Sequence, residues 1–197
     1  MVKRRDLLRA AGATAAFSIV PPGAESAWAR LLAGYRPTTG LTAAHRALVS
    51  GIADVIFPRT DTPGASDVGV TDWVDLVASE YYTDDVRTAF VAGLDAIDAQ
   101  ARRSKGRAFA DLDDAGRTEI VAALDATMAQ GGRGQAADSA SAQDQEARAA
   151  RAAYRRLKGL VVHGYFTSQR VEREVLHVRL AYPTFEGAAD FAPRPAR

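Results

Sequence analysis

The sequence predicts an all-α protein: a compact bundle of about five to six helices with long ordered loops, preceded by a signal segment. Three observations carry that reading. Apolar residues recur at steps of three and four along most of the chain, the spacing of one helix face. No run alternates apolar with polar residues, and no Asn-Gly pair marks a hairpin. The 197 residues are 47% apolar and 25% charged, which suits one soluble globular domain and excludes a wholly disordered chain.

The N-terminus begins with Lys3-Arg4-Arg5-Asp6-Leu7-Leu8-Arg9, continues through the short apolar run Ala10 to Val20, and reaches Pro21-Pro22-Gly23 and Ala27-Trp28-Ala29. A charged start, a short apolar stretch and a small-x-small pattern, in that order, form a secretory signal. The apolar stretch is well short of the ~20 residues that a membrane span needs. Arg4 and Arg5 followed by Leu7 and Leu8 give the signal a twin-arginine (Tat) character, and its modest hydrophobicity agrees. The Tat route carries folded chains, whereas the Sec route threads unfolded ones. Residues 1–29 are therefore expected to be the signal, with cleavage after Ala29, and 30–197 one helical domain that is close to neutral. The protein is expected to be periplasmic.

From Leu41 to Ile56 the apolar positions Leu41, Ala44, Leu48, Val49, Ile52, Val55 and Ile56 define one face; Thr42 is the expected N-cap and Pro58 the stop. Arg59 to Val70, with Pro63-Gly64 and clustered Asp and Thr, reads as an ordered loop. Thr71 is the expected cap of a helix carrying Trp73, Leu76 and Val77. Thr83 starts another, with acids in its first turn and Arg102, Arg103 and Lys105 near the Gly106 that closes it. The stretch Phe109 to Asp113 leads into a fourth helix, with Phe109 or Leu112 as a staple before the cap. Residues 131–145 have no apolar period and read as a flexible insertion. A fifth helix runs from about Glu146 to His163, with Gly164 as a left-handed cap, and Ser168 caps a short sixth. The Pro-rich end after Tyr182 is irregular.

The chemistry is sparse. Without cysteine there are no disulfides, thiolate metal sites or cysteine nucleophiles. Lys and Arg number 25 against 24 Asp and Glu, a net charge of +1 that gives no basic surface for phosphates, so no nucleic acid partner is expected. No Gly-x-Ser-x-Gly, dinucleotide fingerprint or Walker loop occurs, and Gly131-Gly132-Arg133-Gly134 follows no strand. The three histidines, His45, His163 and His177, form no His-x-x-x-His pair. Asp54, Asp61, Asp67, Asp72 and Asp75 surround the loop without EF-hand spacing and are explained by capping and turns. Trp73, Tyr81, Tyr82, Tyr165 and Phe166 divide between core packing and a partner surface. An exported enzyme with an Asp/His site near the loop, and a metal- or haem-binding bundle, are the alternatives to a binding role.

Three stretches resemble the gluconate 2-dehydrogenase subunit 3 family: Ala53 to Ala65 continuing through Val68-Gly69-Val70 to Thr83, Leu157 to Ser168, and Tyr182-Pro183-Thr184-Phe185-Glu186-Gly187. The resemblance covers most of residues 42–187 and the signal. It implies a small, non-catalytic subunit of a periplasmic sugar or polyol dehydrogenase, holding no cofactor itself. The large subunit would be an FAD flavoprotein of the glucose-methanol-choline (GMC) type, sometimes joined by a cytochrome c. The flavoprotein lacks a signal of its own, so the Tat signal on this chain would export the folded pair. Many members carry a cysteine just after the final Gly, where this chain has Ala188. The partner contact is expected at Pro58, Asp61, Thr62, Pro63, Gly64 and Trp73, and at Gly164, Tyr165, Phe166, Thr167 and Ser168; no catalytic or metal residue is assigned.

Overall fold

Polar side chains placed just ahead of the apolar runs fix where several helices begin. The computed structural model describes residues 27–37, 40–129 and 141–177, and among these it contains seven α-helices, two short 3-10 turns and no strand. The first helix, α1, spans Ala27–Leu32. Thr42 accepts a hydrogen bond from the His45 amide (3.2 Å) and starts α2, Ala43–Ile56, which stops just before Pro58. A 3-10 turn at Ser66–Val68 leads into α3, Val70–Glu80. Thr83 precedes α4, Asp84–Lys105, closed by Gly106 at φ 73°. After a 3-10 turn at Phe109–Asp111, the Asp113 carboxylate accepts from the Gly116 amide (2.8 Å) at the head of α5, Asp114–Ala129. Ser141 and Asp144 form a reciprocal capping box that starts α6, Ala142–Phe166. Ser168 accepts from the Val171 amide to begin α7, Gln169–Glu174.

Helices α4 and α6 make the most extensive pairing. Gly93 explains how they approach so closely: a Cβ there would lie 2.3 Å from Ala153 Cβ and 2.6 Å from the Ala149 carbonyl oxygen. Helix α2 touches α3, α4, α5 and α6, and its buried face of Leu48, Val49, Ile52 and Ala53 lies in a core with Trp73, Phe90, Leu94, Phe109, Tyr154 and Leu157. Burial of such side chains is the main favourable term for a chain with no covalent cross-link. The Tyr154 hydroxyl donates to Asp125 (2.8 Å), and Lys158 pairs with the same carboxylate, tying α5 to α6. Burial pushes the Tyr154 hydroxyl well above its ordinary range.

Several expectations need correction. Thr71 does not cap α3; the preceding residue Gly69, left-handed at φ 77°, turns the chain into the helix, and the buried Thr71 hydroxyl finds no hydrogen-bond partner. Helix α6 starts at Ala142, so Ser141 to Gln145 belong to a helix start and not to a flexible insertion. It also runs on to Phe166: Gly164 is helical and caps nothing. Helix α1, Ala27–Leu32, is an element that the sequence reading did not include, and it contains Ala29. Arg4, Arg5, Leu7 and Leu8, residues 131–140, and the stretch Tyr182 to Gly187 with Ala188 lie outside the described residues.

Candidate functional site

The loop between α2 and α3 is pinned by its own side chains. Asp54 accepts from the Ser66 amide (2.9 Å), Asp67 accepts from the Gly64 amide (2.9 Å) and pairs with Arg59, and the Ala65 amide donates to the Phe57 carbonyl (3.0 Å). Gly64 sits in tight space, since a Cβ would come 3.0 Å from the Arg59 backbone nitrogen and the loop would have to give by a few tenths of an ångström. Pro63, Gly64 and Ala65 are buried, while Pro58 to Asp61 stay exposed.

The C-terminal end of α6 closes over this loop. The Tyr165 hydroxyl donates to the Pro63 carbonyl at 2.8 Å, and the Tyr165 ring stacks on Phe57 with centroids 4.0 Å apart and planes 4° from parallel. Phe166 sits edge-on to both rings, at 5.5 Å from Phe57 and 5.4 Å from Tyr165. One residue along a helix turns the side chain by about 100°, so Tyr165 points inward at 4% exposure and Phe166 outward at 43%. Val162, one turn earlier, is also exposed.

A second stack continues from the same helix end. His163 lies 5.4 Å from Trp73, and Trp73 lies 6.2 Å from Trp28 of α1. Gly164 lets the Trp73 ring lie against α6, for a Cβ there would fall 2.8 Å from ring atom Cε3. Trp28 Nε1 donates to Thr167 Oγ1 (3.0 Å), which itself donates to the His163 carbonyl (2.8 Å). The Ser168 hydroxyl donates to the Tyr165 carbonyl (2.8 Å) while it caps α7. Partial burial holds the His163 imidazole below its ordinary pKa, so it favours the neutral form.

The structure thus brings both stretches of the expected partner contact to one place but divides them by exposure. Pro63, Gly64, Trp73, Gly164, Tyr165 and Ser168 are interior, Thr62 and Thr167 are half-buried, and Pro58, Asp61 and Phe166 face outward. Sequence reasoning missed Phe57 and Val162. Phe57 was marked by standing next to Pro58, and Val162 by its four-residue offset from Phe166.

The acids around the loop are engaged in structure. Asp61 accepts from the Thr60 hydroxyl (2.9 Å), and Arg46 pairs with both Asp72 and Asp75. Asp75, almost wholly buried, also accepts from the Leu41 amide (2.6 Å) and the Ser79 hydroxyl (3.2 Å). Among the described residues no group of three or more His, Asp or Glu is placed to hold a metal ion. A groove of about 430 Å³ between α2 and α4 has His45 at its edge, 2.8 Å from Asp95, with the Thr42 hydroxyl beside it committed to capping α2. Glu174 and His177 stand three apart, but Glu174 pairs with Arg170 and His177 turns back to the Arg173 carbonyl.

The model of one family, described as Gluconate 2-dehydrogenase subunit 3, matches residues 43–183. No curated protein and no solved structure gives a match.

Proposed function

The chain belongs to the gluconate 2-dehydrogenase subunit 3 family, a family of dehydrogenase-complex subunits, and from that premise we propose that it is a non-catalytic escort. It would bind the folded, FAD-bearing large subunit of the GMC type, stabilise it, and carry it to the periplasm on its own Tat signal, where a cytochrome c subunit can join the complex. The substrate class is a sugar or polyol, oxidised by the partner.

One observation carries this reading. The two stretches most characteristic of the chain, over a hundred residues apart in sequence, are locked to each other by the Tyr165 to Pro63 hydrogen bond and present Phe166, Val162 and Pro58 on the outside. A rigid, internally satisfied loop beside an exposed aromatic suits an interface anchor, which is enriched in aromatic residues and surrounded by polar ones. Arg59, Thr60 and Asp61, exposed next to Pro58, supply such a rim.

The test is co-expression of the full chain with its flavoprotein, with periplasmic dehydrogenase activity as the readout. Replacing Arg4 and Arg5 by Lys should abolish export of the large subunit, and undiminished export would refute the escort role. Purification from the native cell should co-elute the flavoprotein, and a solitary monomer would refute the subunit assignment.

A further inference from the structure

The tripeptide Ala27-Trp28-Ala29, which has the form of a signal-peptidase junction, is folded into the domain. It forms the start of α1, with Ala27 fully buried. Trp28 stacks on Trp73 and donates to Thr167, so it links α1 to α3 and to the end of α6. Two further residues of α1 are engaged, while Ala29 and Leu32 are exposed. Arg30 donates to the Tyr81 hydroxyl and to Glu80, both at 3.2 Å, its guanidinium lies 4.0 Å from the Tyr35 ring centroid, and Leu31 is buried.

A processing peptidase reads the residues before the cut in extended form, so a docked helical turn is protected by the free energy needed to open it. Timing makes that protection relevant. A chain exported folded meets the peptidase only after α1 has docked, whereas a threaded chain would meet it beforehand. The sequence offers a second small-x-small pattern immediately upstream, Ala24-Glu25-Ser26, and a cut after Ser26 would retain all of Ala27–Leu32.

We propose that the exported protein is not cut after Ala29: residues 27–32 are a permanent part of the domain, and any processing falls before Ala27. This rests on the Tat reading for its timing, and the two can fail separately. Trp28, bonded to Thr167 at the end of α6, would then belong to the functional subunit and not to a discarded leader.

The experiment treats the full chain, purified with its flavoprotein, with signal peptidase in detergent micelles and reads N-termini by intact mass. The same measurement is made on protein recovered from the periplasm. The expected result is a chain that has lost residues 1–26 or none; a chain starting at Arg30 overturns the proposal. In the W28A variant, which keeps the small-x-small pattern, chains starting at Arg30 should appear, and a W28A protein that resists this cut as the parent does shows that docking is not the protection. Export that survives replacement of Arg4 and Arg5 by Lys would sink the Tat reading while leaving the micelle result to decide this one.

Discussion

The Tyr165 hydroxyl and the Pro63 carbonyl meet at 2.8 Å in the interior, joining the C-terminal turn of the longest helix to the middle of a loop 102 residues earlier. The loop has no regular structure at that point, so this carbonyl depends on a side chain for its hydrogen bond. Tyr165→Phe keeps the stacking on Phe57 but leaves the carbonyl buried and unpaired. The expected cost is about 1–3 kcal/mol, seen as a lowered melting temperature together with faster proteolysis within residues 58–69.

Three glycines should rank by what surrounds them. Gly93→Ala drives a methyl group into Ala153 and the Ala149 carbonyl, a backbone atom that cannot turn aside, and should cost about 3 kcal/mol or more. Gly164→Ala meets the buried Trp73 ring and should cost about 1–3 kcal/mol. Gly106→Ala has open space but a left-handed backbone, so only about 1 kcal/mol is expected. Denaturant midpoints of the three variants check the order.

Phe166→Glu separates folding from binding. The side chain is 43% exposed and touches its neighbours edge-on, so the isolated chain should lose only about 1 kcal/mol. Capture of the flavoprotein should be lost, as measured by co-purification. A full yield of complex would remove Phe166 from the interface.

His163 gives stability a pH dependence of known sign. Its folded pKa is lowered by burial from the ordinary 6.5, so on acidification the unfolded chain takes up a proton first. The contribution is complete above the unfolded value and is lost as pH falls through about 6.5 toward the folded value. His163→Gln should flatten that slope, measured as urea midpoints at about pH 7.5 and 5.5. Glu80, held below its ordinary 4.5 chiefly by the Tyr35 hydroxyl, titrates lower and does not enter this window.

Asp75→Ala should be among the most damaging polar changes. It strips the Leu41 amide and the Ser79 hydroxyl of their acceptor and leaves Arg46 with only Asp72. A loss of about 3 kcal/mol is expected, while Asp75→Asn, which keeps an acceptor oxygen, should recover part of it. Thermal melts of the two variants are the measurement.

Much of this architecture was legible in the residues. Thr42 with Pro58 bracketed α2 and Ser168 started α7, because capping and helix stopping act within a few residues of the side chain responsible; Thr83 and Gly106 also bracketed α4, although the Thr83 hydroxyl donates to the Asp85 carboxylate and caps no backbone amide. Gly164 was misread because a glycine after an apolar run looks the same whether it ends a helix or admits a neighbouring ring, and only the position of Trp73 decides. The capping box of Ser141 and Asp144 was hidden among Gly, Ala and Gln. At the candidate site the two stretches were recognisable, yet their inward and outward faces were not: Tyr165 and Phe166 are adjacent in sequence, and the packing partner that orients them lies in a distant loop. Ala27-Trp28-Ala29 satisfies a cleavage pattern and a helical turn equally well, and the helix becomes visible only through the packing of Trp28 on the distant Trp73.

The 25 residues of α6 hold its capping box and its aromatic end about 37 Å apart. The connection that enters this helix from α5 therefore joins it at the far pole from Phe166. A fluorescent label on Ala142→Cys, an exposed position at that pole in a chain with no other cysteine, would sit a helix length away from Phe166 and leave the surface proposed to dock untouched.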